Sequence, residues 1–168
     1  MIDQREQNLK KVKSLLYKGV GCAHYTDQNE VSHIEATSQD AFAYGLGQAH
    51  AKQRGLQVGL MQLILQGRLN EFLGDDEELI ATDYFMEHFG FHYQARREEL
   101  HLSDQDKAYL QAYIDGLNEG RHQHFPIEFK LLKIPFIKWT LADTLSLLKL
   151  MGFLGLAQTQ LDAEKFVT

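Results

Sequence analysis

Residues 39–72 read QDAFAYGLGQAHAKQRGLQVGLMQLILQGRLNEF, and they decide the fold class. Apolar side chains recur at Phe42, Leu46, Ala49, Leu56, Leu60, Leu63 and Ile64, the spacing of a helix face rather than the alternation of a strand. Gly45, Gly47, Gly55, Gly59 and Gly67 interrupt the pattern. Each costs about 1 kcal/mol relative to alanine in a helix interior. So many glycines imply close packing against another backbone, or breaks that divide the segment into two helices. Gly74 reads as a stop.

Toward the N-terminus, residues 2–18 read as a charged helix with Leu9, Val12, Leu15 and Leu16 as its apolar stripe. Two short extended pieces follow, Cys22 to Tyr25 and Val31 to Ala36, with a polar turn at Asp27, Gln28 and Asn29. Toward the C-terminus, a helical segment runs from about Ile80 to Leu100. Ser103 caps a helix through Asn118, with Asp106 three residues on in a capping-box-like arrangement. Leu110, Tyr113, Ile114 and Leu117 are its buried stripe. Pro126 and Pro135 bracket a connecting loop, and Thr140 caps the last helix with Asp143 at its third position.

In that last helix Leu145, Leu147, Leu148, Leu150, Met151, Phe153, Leu154 and Leu156 surround nearly the whole circumference. A helix apolar all round is buried on all sides, and so small a chain can hardly cover it alone. A partner is implied, or else a central position in a self-sufficient bundle. No linker or internal repeat divides the chain. The expectation is one unit over residues 1–168, mostly α, with a helical arm at 1–19, a strand pair at 20–37 and a helical region at 38–168.

Composition narrows the function classes. A chain of 168 residues with 44% hydrophobic residues and two prolines is that of a folded protein. The net charge of −6 argues against nucleic acid, which calls for a clustered cationic face. Lys10, Lys11, Lys13 and Lys18 do cluster, but acids and glutamines surround them. Cys22 is the one cysteine and has no internal disulfide partner. The first twenty residues hold no apolar signal core, and no stretch approaches the roughly 20 apolar residues of a membrane span. Neither nucleic acid nor membrane is expected as a partner. A cytoplasmic location is expected if Met1 is the native start, and a periplasmic one if a leader was removed.

Several segments, in order, resemble the penicillin amidase family. Val31-Ser32-His33-Ile34-Glu35-Ala36 is similar to its Val-Pro-His-Ile-x-Ala strand, and Gly45-Leu46-Gly47-Gln48-Ala49-His50-Ala51 to its Gly-x-x-His-Ala segment. Arg54 and Gln57 fall where Asp-Arg-x-x-Gln usually sits. Gly67-Arg68-Leu69-Asn70-Glu71-Phe72-Leu73-Gly74 matches Gly-Arg-Leu-x-Glu-x-x-Gly. Gly116-Leu117-Asn118 is similar to Gly-Val-Asn, Pro126-Ile127-Glu128-Phe129 to Pro-x-Glu-Phe, and Trp139 with Asp143 to a Trp-x-x-x-Asp helix start. Ser32 stands in place of the usual proline, Gln53 in place of aspartate, and Glu30 where glycine is common.

The resemblance implies the α subunit of an αββα N-terminal-nucleophile hydrolase heterodimer, cut autocatalytically from a precursor. The first residue of β, typically serine, is then the nucleophile, and its own α-amine takes the hydroxyl proton. Backbone N–H groups and an asparagine of β hold the oxyanion. No catalytic residue is therefore expected in this chain. Its contribution would be the acyl pocket, at Met151, Leu154 and Gly155, with Phe153 a weaker addition. Such a pocket wants apolar walls, and methionine adapts to irregular ligands. The substrate would be a small N-acyl amide, such as a β-lactam side-chain amide or an acyl-homoserine lactone.

No cofactor is expected beyond a structural calcium between the subunits, bound mostly by β, whose α-chain ligand would fall near Asp162. Arg68 and Glu71 read as a surface ion pair or, from their place in the motif, as a buried network. His33 and His50 read as core histidines. His88 with His92, and His122 with His124, lack the further ligands of a transition-metal site. Two other classes stay open, a helical protein-interaction domain and a catalytically inactive relative.

Overall fold

The computed structural model describes residues 12–17 and 19–167. It begins with a three-stranded antiparallel sheet in the order β1 (Val12–Tyr17), β2 (Val20–Thr26), β3 (Ser32–Ala36). The helical arm expected over 2–18 is thus corrected for residues 12–17, which form a strand; residues 1–11 lie outside the described part. Tyr17 pairs with Val20 and Val12 with Tyr25, which makes β1 and β2 a tight hairpin. Gly19 carries the positive φ of 83° that such turns require. The spacing of Val12, Leu15 and Leu16 fits a helix stripe, and Gly19 is the turn signal that speaks against it.

The expected strand pair is present as β2 and β3, in the register Cys22 with Ala36 and Thr26 with Ser32. The turn between them is tied by Asp27, which accepts from the Asn29 and Val31 amides at 2.8 and 3.0 Å and faces His33 Nε2 at 3.1 Å. Glu30 within it has a φ of 63°. Tyr25 stacks on the His33 ring at 4.9 Å.

Helix α1 (Gln39–Leu65) runs on through its glycines, but Arg54 within it is non-helical. Close packing and a break both occur. A Cβ on Gly47 would meet Tyr113 O at 2.2 Å, and one on Gly116 would meet Tyr44 O at 2.0 Å. Here α1 and α5 (Asp104–Gln123) cross backbone to backbone. Beside the crossing, Tyr17, Cys22, Ala41, Ala43, Tyr44 and Ala112 form an apolar cluster. Tyr44 donates to Glu119 at 2.5 Å and stacks on Tyr17 at 5.1 Å, and Tyr17 donates to Asp115 at 3.2 Å. Ser103 caps α5 as expected, accepting from the Asp106 amide at 3.1 Å.

Gly67, with φ 62°, turns the chain after α1 into the short α2 (Leu69–Leu73). The buried carboxylate of Asp83 accepts from the Leu69 and Asn70 amides at 2.9 and 2.8 Å. It satisfies the start of a helix whose own first residues cannot. The single helix expected over 80–100 is two, α3 (Glu77–Phe89) and α4 (Phe91–Glu98), parted by Gly90 at φ 65° and followed by a 3-10 turn at Glu99–His101. The loop expected between the prolines contains α6 (Ile127–Leu131), and α7 covers Leu141–Val167.

The chain divides into two compact units, one of residues up to Val58 with Ser103–Lys138, the other of Gly59–Leu102 with Trp139 onward. One division falls inside α1 and the other two at Leu102/Ser103 and Lys138/Trp139. None is marked by a proline- or glycine-rich linker, so composition gave no boundary.

Candidate functional site

Helix α7 carries all four candidate pocket residues, so the site is built from the forces that hold this helix. Its start is a reciprocal cap. The Thr140 amide and hydroxyl both donate to Asp143 Oδ2 at 2.8 Å, and the Asp143 amide donates to Thr140 Oγ1 at 3.3 Å. Asp143 is fully buried. Gln62 and Gln66 at the end of α1 donate to it at 3.1 and 2.8 Å. His92 Nε2 lies 3.2 Å from Oδ1 but off the line of a hydrogen bond. A buried carboxylate is tolerable only when so surrounded. Trp139, also buried, donates to Thr144 at 2.9 Å.

Further along, Ala142 and Leu145 pack on Ala95 of α4, with Leu102 and Leu141 at the edge. Lys149 pairs with Glu98 at 2.6 Å. Phe153 then enters an aromatic cluster, with ring centroids 6.0, 4.9 and 5.9 Å from Phe85, Phe89 and Phe91. One side of α7 is therefore fixed along four turns.

The other side is open. Leu148, Met151 and Leu154 are 62, 59 and 52% exposed, and Leu156, beyond the last of these contacts on the Lys149 side, is 75% exposed. A Cβ on Gly152 or Gly155 would meet no atom within 4 Å. At about 100° per residue, Met151, Leu154 and Gly155 share one face of the helix. Phe153 lies across the helix from Met151 and packs into the aromatic cluster. The structure thus brings three of the four candidates together and separates the fourth. The apolar circumference expected to be wholly buried is buried on one side only.

By length and composition, Leu141–Gln160 is also apolar enough to cross a membrane, which corrects the expectation that no stretch is. Its charged residues Asp143 and Lys149 are held by Gln62, Gln66 and Glu98, so this segment is packed as part of its unit.

Other titratable groups do not converge on this face. Arg68 forms a two-pronged pair with Glu71 at 2.6 and 2.9 Å. Glu71 is half-exposed and Arg68 partly buried, and Arg68 also donates at 3.3 Å to Gln66, which donates to the buried Asp143, so the pair sits at the surface edge of a buried network. The buried role in that motif falls to Asp83, which periodicity gave no reason to single out. His88 stacks on Tyr84 at 5.9 Å, and His50 bonds the Tyr113 hydroxyl at 2.9 Å. Burial lowers the His50 pKa and raises that of Tyr113. Among the described residues no three His, Cys, Asp or Glu side chains cluster as a metal site. Asp162 accepts from Gln158 at 3.1 Å and from Lys165 at 3.2 Å. Both of its oxygens are thus engaged within α7.

Residues 25–167 match the penicillin amidase family, and the chain belongs to that family. It is 28% identical over 126 residues to penicillin acylase 2 proenzyme of Pseudomonas sp. (strain SE83). The match takes in 74% of this chain and 16% of that relative, so the chain spans about a sixth of its length. The fold is similar to that of a thermostable penicillin G acylase from Alcaligenes faecalis. The TM-score is 0.66 at 21% identity, over 76% of this chain and 69% of that one.

Proposed function

We propose that this chain is the α subunit of an N-acyl amide hydrolase, and that Met151, Leu154 and Gly155 line the acyl pocket beside a nucleophile carried by a β chain from the same precursor. Family membership supports an acylase, and the relative's name, a proenzyme, fits a chain released by processing. The observation that carries the pocket role is the two-sidedness of α7. Its Leu145, Lys149 and Phe153 side is fixed, while its Met151 side offers apolar surface and, at Gly155, a glycine with no atom within 4 Å of an added Cβ. A rigid apolar wall facing outward is what a pocket shared between chains needs. Phe153 supports this wall from behind and does not touch the acyl group.

Shortening Met151 tests the assignment in the assembled enzyme. Met151→Ala lowers stability by less than about 2 kcal/mol if the site borders an open pocket, against roughly 2–5 kcal/mol for packed core. It also shifts kcat/KM toward bulkier acyl groups. An equal loss on every substrate, in step with loss of folded enzyme, would make Met151 plain core. A catalytically inactive relative would be recognised by the sequence that follows Thr168. A Ser, Cys or Thr opening a long β-rich continuation supports the enzyme, and a continuation without such a residue supports the inactive form.

A further inference from the structure

A second apolar surface lies on the other compact unit and is unlike the α7 face. In α6 and the strap after it, Ile127, Leu131 and Leu132 are 65, 76 and 53% exposed. Ile127 and Leu131 are four residues apart and share a helix face. Phe129, on the opposite side, is buried together with Ile134. The strap is not loose. Leu132 donates its amide to Glu128 at 2.9 Å, and Ile134 donates to Phe129 at 2.8 Å. The Phe136 ring is flanked by Phe125, by His122 and by the guanidinium of Arg121, which donates to Ile137 O at 3.2 Å. Three aliphatic side chains are thus held outward on a fixed support.

What separates this patch from α7 is charge. The exposed faces of α7 between Leu148 and Leu156 carry no cation except Lys149, already paired with Glu98. Beside the patch, Lys130 and Lys133 are both exposed, against the single acid Glu128 of the same stretch, in a chain of net charge −6. Lys133 sits at φ 56°, a left-handed backbone where glycine would cost less. A protein partner covering the patch would have to strip water from these lysines. A lipid interface need not, because lysine stems lie along apolar surface while their ammonium groups stay at the headgroups.

We propose that the α6 patch docks on an anionic phospholipid bilayer, with Ile127, Leu131 and Leu132 entering the headgroup boundary and Lys130 and Lys133 facing lipid phosphates. This departs from the sequence expectation of no membrane partner and does not depend on the reading of α7. The test is flotation of the intact protein, with whatever chain it assembles with, on phosphatidylglycerol/phosphatidylcholine vesicles and on phosphatidylcholine vesicles alone. Binding is expected to the first and not the second. Each of Lys130→Gln and Lys133→Gln should weaken it about fivefold, and Leu131→Asp with Leu132→Asp by more than about tenfold. Thermal melts and size-exclusion profiles of the variants should match those of the parent. Absence of flotation, or equal flotation on both vesicles, overturns the proposal. So does a loss of chain assembly in the Leu131→Asp, Leu132→Asp variant, which would assign the patch to a protein partner.

Discussion

Three departures from the family pattern acquire reasons at the scale of single residues. Ser32 and Gln53, in place of proline and aspartate, meet each other: Gln53 donates to Ser32 Oγ at 2.5 Å, and His24 Nε2 shares that oxygen at 3.1 Å. Glu30 occupies the left-handed backbone that explains why glycine is common there. Glu30→Gly should therefore raise stability by up to about 1 kcal/mol, read as an upward shift in Tm; a fall would show that Glu30 contacts outweigh its backbone cost. The glycines of the crossing behave oppositely. Gly116→Ala places a methyl group on the Tyr44 carbonyl and should cost about 2–3 kcal/mol or prevent folding. Gly152→Ala, with open space around it, should be neutral or stabilising by up to about 1 kcal/mol. Urea denaturation of the assembled protein separates the two, and equal effects would contradict the close approach. Tyr44 gives a pH dependence. Burial, followed by its hydrogen bond to Glu119, raises its pKa from 10.0 to about 12. The folded state keeps the proton where the unfolded chain loses it, so this stabilisation is whole below pH 10 and disappears as pH rises toward 12. Tyr44→Phe should flatten that alkaline decline; an unchanged slope would place the titration elsewhere.

Among elements, α7 shows how far a one-dimensional pattern reaches. Its start was legible because Thr140 and Asp143 have capping spacing, and the same is true of Ser103 before α5. Its direction was not. Apolar residues all round state that much surface wants burial, but not which side the chain covers itself. That choice is made by partners distant in sequence: Gln62, Gln66, Ala95, Glu98 and the phenylalanines of α3 and α4. The same limit hid Asp83, whose value lies in two amides thirteen and fourteen residues earlier. It also hid β1, where the spacing of Val12, Leu15 and Leu16 fits a helix and the strand is decided by its pairing with β2. Met151, Leu154 and Gly155 could be grouped from periodicity, and Phe153 could have been set apart by the same count. The strength of the α7 anchor can be measured. Asp143→Ala removes the cap and leaves the Gln62 and Gln66 amides buried without their acceptor, which should cost about 3–5 kcal/mol. Chemical denaturation reads it, and a loss under about 1 kcal/mol would mean that α7 is held by its apolar contacts alone.

For the whole molecule, the open face of α7 sets the state of the chain by itself. Leu148, Met151, Leu154 and Leu156 expose apolar surface on one helix, and Ile80, Tyr84, Phe85 and Phe89 of α3 are exposed in the same unit. Folded monomers seldom leave patches beyond a few hundred Å² uncovered. The chain expressed alone should therefore self-associate, and static light scattering should show mass rising with concentration. Replacing Leu148, Leu154 and Leu156 together by Gln touches none of the buried contacts of Asp143, Leu145, Lys149 or Phe153. It should leave helix content unchanged and return the isolated chain to a monomer. On the proposed two-chain reading, the same substitutions should abolish assembly with a β chain, because surface that causes self-association in isolation is the surface the partner would bury. The paired outcome is the discriminating one. A parent chain that is monomeric and melts cooperatively on its own would contradict the two-chain reading. Rescue of solubility with assembly intact would move the subunit contact off α7 and take the proposed pocket with it.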